Sequence, residues 1–390
     1  MQSLRKKLIV LFTGLWTGLT LSAQQKSPYI SKVYDYQPAP GQFINALPAY
    51  EPGDTREDML RKAETLLAGE ESSLISLGAY GGYIVFGFDH PVVNVADRPD
   101  FRILGNVFIH TGMGTHSESS EPGIVEVSRD ANGNGLPDDA WYELAGSEYN
   151  RPETIHNYRI TYYKPDGNHT PEPDAGNPSL TDTAYIRWVD NQGRQGYISK
   201  NSFHEQPYYP QWTEADSLVF EGACLTDNYM MEGGNCLFQA FEWGYADNRP
   251  NSDPQSCFNI EWAVDADGQP VHLSEIHFVK VYTAINQSCS WLGETSTEFG
   301  GAVDLHPEAV STAVQSLWGT AQTQLIGNRV KERLQIISPV GQTVHIIGMD
   351  GVRRMSFRIE SGTSAVPCSF LPQGFYMLVA QDRAVKFIKQ

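Results

Sequence analysis

Apolar and polar residues trade places at every second position through much of this chain. Tyr158, Ile160 and Tyr162 alternate with Arg159 and Thr161, and Met355, Phe357 and Ile359 alternate with Ser356 and Arg358. A period of two sends successive side chains to opposite faces of a β-strand. Strand-like segments cover residues 73–77, 83–88, 101–108, 123–128, 158–163, 185–189, 217–220, 240–244, 259–264 and 277–283, and then 334–338, 343–348, 355–359 and 375–379. Asp-Gly and Asn-Gly turns punctuate them. A helical period stands out at Met59, Leu60, Ala63, Leu66 and Leu67, behind Asp54 or Thr55 as a cap, and predicts a helix over 54–69. Many short strands without strand–helix alternation predict an all-β chain. The expected organisation is an extended lead-in with one helix over 24–72, a large jelly-roll or β-sandwich domain over 73–306, a linker over 307–328 and a small immunoglobulin-like β-sandwich over 329–390.

The N-terminus breaks this pattern. Arg5, Lys6 and Lys7 precede an apolar run over 8–21, and small residues follow at Ser22 and Ala23. This is the order of a cleavable secretory signal, 1–23. The run is shorter than the roughly 20 apolar residues a membrane helix needs. No later stretch is apolar enough to span a bilayer. Export to the outside of the cell or to its surface is therefore the expected localisation.

Charge narrows the partners. The chain holds 28 basic and 46 acidic residues; the signal takes three of the basic ones, and residues 329–390 take nine basic and four acidic. The body between them is left with 16 basic against 42 acidic, a net of −26. Such a body repels nucleic acid and attracts cations, Ca²⁺ above all outside the cell. Five cysteines enter an oxidising compartment. Cys224 and Cys236 flank a segment suited to a hairpin-closing disulfide, Cys257 and Cys289 would join neighbouring strands, and Cys368 is left over. Four cysteines allow three pairings, so spacing alone leaves connectivity open.

The motif richest in chemistry begins at Asp130. Asp130, Asn132, Asn134 and Asp138 put oxygen side chains at relative positions one, three, five and nine; Gly135 stands at six and the Leu136 carbonyl at seven. This is the ligand rhythm of a calcium loop, in which six to eight hard oxygens surround one ion. Trp141 occupies the twelfth position in place of the bidentate Glu, so Asp139 and Glu143 are the remaining ligand candidates. The alternative is an Asn-Gly-rich turn joining two strands. Asp265 and Asp267 form a second acidic turn, read as a plain hairpin.

Aromatic residues supply candidate binding surfaces. Tyr208, Tyr209, Trp212 and Trp291 sit in Pro-, Gly- or Ser-rich segments and are expected as an exposed platform, whereas Trp188, Trp243 and Trp262 are expected in the core. Flat aromatic faces stack on sugar rings. No catalytic motif is present: no Gly-x-Ser-x-Gly, no His-Glu-x-x-His, and no placed Cys–His pair. Glu294 and Glu298 are a carboxylate pair of the type glycosidases use.

The tail carries a resemblance. Ile346-Ile347-Gly348-Met349-Asp350-Gly351-Val352, Leu371-Pro372-Gln373-Gly374-Phe375-Tyr376 and the basic ending Val385-Lys386-Phe387-Ile388-Lys389-Gln390 resemble the type A C-terminal sorting domain of the type IX secretion system of Bacteroidota. The resemblance implies passage through an outer-membrane translocon. Residues 73–306 resemble bacterial cell-surface proteins with a galactose-binding-like sandwich, on Gly81-Gly82-Tyr83-Ile84-Val85-Phe86-Gly87-Phe88-Asp89, Asp100-Phe101-Arg102-Ile103-Leu104 and Phe278-Val279-Lys280-Val281-Tyr282. It implies a binding function. A glycan is the first expected ligand; a corrinoid or other small nutrient is the second, by family association; a carbohydrate-active hydrolase or lyase is the third reading.

Overall fold

The computed structural model describes residues 26–112, 115–232, 235–309, 323–326, 329–338, 340–349, 351–380 and 384–390. The expected signal and most of the expected linker lie outside them. The chain divides into two compact units, Met1–Thr312 and Ala313–Gln390. Both are built of β-strands, and the all-β expectation holds.

The first unit is organised about a six-stranded antiparallel sheet in the order Lys32–Gln37, Tyr83–Gly87, Phe278–Thr283, Gly123–Ser128, Trp141–Leu144 and Ala263–Val264. Its central strands are apolar at nearly every position because both faces are covered. Val279 lies opposite Phe86 and Val127, and Val281 opposite Ile84 and Val125. These side chains point to one face and pack with Phe101, Ile103, Phe258 and Phe299. Their neighbours Ile124 and Tyr282 point the other way. They meet Tyr158, Ile160, Tyr162, Ile186, Ile198 and Phe220 of a four-stranded sheet, Gln195–Asn201, Leu180–Asp190, Ile155–Tyr163 and Ser217–Cys224. The unit is thus sandwich-like, with the central sheet as the shared layer.

The helix runs over Arg56–Leu67. The Thr55 hydroxyl accepts from the Asp58 backbone N–H at 3.2 Å, and the Asp58 carboxylate accepts from the Thr55 N–H at 2.9 Å. This reciprocal cap satisfies two donors that the first turn leaves unpaired. Met59, Ala63 and Leu67 form the buried stripe.

Several expected elements change. Residues 240–244 form no strand: Asn248 accepts from the Phe241 N–H at 2.8 Å and donates to its carbonyl at 2.9 Å, taking the groups a neighbouring strand would use. Within 259–264 a 3₁₀ turn, Ile260–Trp262, precedes the strand, capped by the Asn259 side chain. Gln195–Asn201 and the hairpins Ile109–Gly112 with Thr115–Glu118 and Tyr229–Glu232 with Asn235–Phe238 were not expected. Their sequences are polar or short, and pairing rather than pattern makes them strands.

In the second unit, a three-stranded sheet (Gln324–Ile326, Arg333–Ser338, Gly362–Pro367) and a five-stranded sheet (Arg329–Val330, Ala384–Lys389, Gly374–Val379, Gln342–Gly348, Arg353–Ile359) share one core. Leu334, Ile336 and Val366 from the first meet Val344, Ile346, Leu378 and Phe387 from the second. Gln324–Ile326 falls within the expected linker but pairs with Arg333–Ser338 and belongs to this sandwich. Gly351 closes the expected hairpin at φ +77, a left-handed backbone that glycine adopts without steric penalty; Asp350 lies outside the described residues.

Candidate functional site

The loop after Gly123–Ser128 folds its oxygens inward. Asp130 Oδ1 accepts from the N–H groups of Gly133 and Asn134 at 2.7 and 3.1 Å, and Oδ2 accepts from Gly135 at 2.9 Å. Asn132 Oδ1 accepts from Asn134 N–H at 2.9 Å, and Asn134 Oδ1 accepts from Leu136 N–H at 2.8 Å. The amides of Asn132 and Asn134 donate to the two oxygens of Asp138, at 3.0 and 2.9 Å, and hold its carboxyl below the usual carboxylate range. Asp139 Oδ2 accepts from Ala131 N–H at 2.9 Å. Asp130, Asn132, Asn134, Asp138 and Asp139 are thereby gathered on one turn of backbone. Gly133 and Gly135, at φ +74 and +73, permit that turn.

Glu143 does not join them. It stands on Trp141–Leu144, opposite Glu126 and Val264. Burial pushes its carboxyl up to about 8, and the neighbouring Glu126 adds to the shift. A ligand role for Glu143 in this loop is corrected: the strand that begins at Trp141 carries it away.

The aromatic platform is also revised. Tyr208 and Tyr209 are buried, at 0% and 2% exposure. The Tyr208 hydroxyl accepts from Asn201 N–H at 3.2 Å, and the Tyr209 hydroxyl donates to the Ala215 carbonyl at 2.9 Å. The proline-flanked segment lies down on the core and does not project from it. Trp212 is partly buried against the other core, that of Phe86 and Phe101, its ring 6.3 Å from those of Tyr36 and Tyr50. The Trp291 side chain lies outside the described residues. Trp188 and Trp262 pack against the two cores as expected, and Trp243 rests on Trp262 at 4.7 Å.

Cysteine pairing differs from the expectation. Cys236 bonds Cys289, with Cα atoms 6.4 Å apart, and ties the hairpin Asn235–Phe238 to the 3₁₀ turn Ser290–Leu292. Cys224, Cys257 and Cys368 are free and buried. Burial pushes the Cys224 thiol up to about 12. Cys257 Sγ accepts from Arg102 Nε at 3.3 Å.

A cleft of about 580 Å³ lies where Leu180–Asp190 and Gln195–Asn201 meet the loops around 164–171 and 202–211. Tyr185 and Tyr209 form its aromatic wall. Lys200 Nζ lies 5.1 Å from the Tyr185 ring centre, and Lys164 Nζ lies 5.9 Å from that of Tyr209. His169 Nε2 meets the buried Asp182 Oδ2 at 2.6 Å. A cleft of this size with an aromatic wall and a few directed polar groups has the form of a small-ligand site. Tyr209 is the one residue of the expected platform that lines it. Sequence reasoning missed the others because they come from separate strands and loops, although the alternation in 185–189 marks the strand that brings Tyr185.

Among the described residues, no helix is long and apolar enough to cross a membrane. No family model matches the chain, and no curated protein matches it. Among solved structures, the BSP domain of a biofilm-associated protein aligns with 76% of this chain and 53% of its own length, at 10% identity and a TM-score of 0.16. Native E. coli alpha-2-macroglobulin aligns with 81% of this chain and 26% of its own, at 10% identity and a TM-score of 0.15. The chain therefore spans about half or less of the length of either, and similarity at this level carries no functional argument.

Proposed function

We propose that this chain is an exported binding protein, secreted or held at the outer cell surface, whose 580 Å³ cleft takes a glycan. The cleft itself carries the reading. Tyr185 offers its half-buried ring to the apolar side of a sugar, and the buried Tyr209 backs the lining. Lys164, Lys200 and the His169–Asp182 pair surround them with groups that bond hydroxyls or an acidic substituent. In this reading the Asp130 loop holds a structural Ca²⁺ through Asp130, Asn132, Asn134, Asp138, Asp139 and the Leu136 carbonyl, an all-oxygen set suited to that ion. The unit ending at Gln390 serves the type IX translocon as a sorting domain.

Glycan-array binding of the purified protein tests the ligand. One glycan class should be retained, and Lys200→Ala and Tyr185→Ala should each weaken that binding by roughly tenfold or more without loss of the β-sheet spectrum. Tight cobalamin binding with no glycan retained would favour a corrinoid instead. Release of reducing ends would make the protein a hydrolase or lyase.

A further inference from the structure

A second cavity, about 250 Å³, opens beside Phe43, His204 and Leu292, and two carboxylates border it, Glu121 and Glu294. Behind Glu121 stand Asp247 and Glu298. One oxygen from each of Glu121, Asp247 and Glu298 lies within 4.8 Å of the other two.

The fold holds these groups in place. Asp247 Oδ1 accepts from Asn106 N–H at 2.8 Å, and Oδ2 accepts from Glu298 N–H at 3.0 Å. Glu121 Oε1 accepts from Ser296 N–H at 3.1 Å. A Cβ on residue 105 would fall 2.1 Å from Asp247 Oδ1, so Gly105 makes the room this carboxylate occupies. Asp247 has φ +47, a left-handed backbone that non-glycine residues seldom adopt.

No Lys, Arg or His among the described residues pairs with Glu121, Asp247, Glu294 or Glu298. Buried carboxylates in this proximity require either protons or a cation.

An independent observation bears on the choice. Glu294 is 4% exposed, and its Oε1 accepts from Gln42 N–H at 2.6 Å. Its Oε2 is buried with no hydrogen-bond partner. A buried acceptor left without a donor is costly. This residue borders the same cavity as Glu121.

We propose that Glu121, Asp247 and Glu298 form a buried site for one hard divalent cation, entered through the 250 Å³ cavity that Glu121 and Glu294 border. The three ligands are all carboxylate oxygens, which suits Ca²⁺ and disfavours the softer metals that select imidazole or thiolate. Oxygens within 4.8 Å of one another are close enough to share one ion about 2.4 Å from each. An ion here ties together three segments remote in sequence. This site is separate from the Asp130 loop and does not rest on it.

The test uses the full chain carrying Asp130→Ala, which removes the first oxygen donor of that loop. After chelator treatment and dialysis, it is titrated with Ca²⁺ by calorimetry. The expected result is one Ca²⁺ per chain, with affinity reduced at least tenfold when Glu298→Gln is added. If Glu298→Gln does not fold, Glu121→Gln at the cavity rim takes its place and should give the same loss. No Ca²⁺ bound by the Asp130→Ala protein would overturn the proposal. So would undiminished binding in the folded double variant. A shared proton between Glu121 and Glu298 would announce itself as no Ca²⁺ uptake together with a higher melting temperature for Glu298→Gln.

Discussion

Asp139 and Glu143 stand four residues apart and meet different surroundings. Asp139 turns into the loop and accepts from Ala131, while Glu143 is set on a strand beside Glu126. The raised carboxyl of Glu143 has a definite consequence for stability. In the folded state it keeps its proton up to about pH 8, whereas the unfolded chain releases it near 4.5. Its contribution is therefore fully present below the unfolded value and is lost as pH rises through about 8. Thermal melts from pH 5 to 9 should show a decline that Glu143→Gln flattens; an identical slope in both proteins would remove Glu143 as its source. Asp130 accepts three backbone N–H groups and leads the proposed calcium set. Asp130→Ala should lower the melting temperature by about 3–6 °C and reduce the further drop caused by EDTA. A melt that neither change affects would defeat the loop's calcium role.

At the scale of elements, the helix and the central sheet are stabilised by different means. The helix Arg56–Leu67 is short for independent stability, so its reciprocal cap and its buried stripe at Met59, Ala63 and Leu67 both matter. Thr55→Ala should cost about 1 kcal/mol, read as a lower urea midpoint, because the Asp58 N–H then loses its acceptor. An unchanged midpoint would show that packing alone holds the helix. The central sheet relies on register. Val279 and Val281 meet one core, while Tyr282 meets the other, so a slip by one residue would exchange both faces at once.

For the whole molecule, the two units have separate hydrophobic cores. They also differ in charge, the body being strongly acidic and residues 329–390 basic. A chain ending at Asn328 should keep the thermal unfolding of the first unit, since none of that unit's core residues is removed. The proposed sorting role adds a cellular outcome: this truncate should accumulate in the periplasm, and its normal display at the surface would rule that role out.

What can be read along the chain is what short-range chemistry decides. Short apolar runs bounded by turn residues marked Tyr83–Gly87, Gly123–Ser128 and Phe278–Thr283, the 3.6 period and cap marked the helix, and the spacing of Asp130, Asn132, Asn134 and Asp138 marked a loop whose oxygens gather on one turn. Each depends on neighbours within a few residues. Long-range contact decided the rest. Cys236 chose Cys289 because two loops meet, Tyr208 and Tyr209 were buried because a proline-flanked segment lies on the core, and Tyr185 reached the cleft beside Lys164 and Lys200 through strand pairing. Glu294 and Glu298 stand close in the chain, but Glu121 and Asp247 share no local pattern with them, since residues so far apart acquire a common environment only when the sheets close around them.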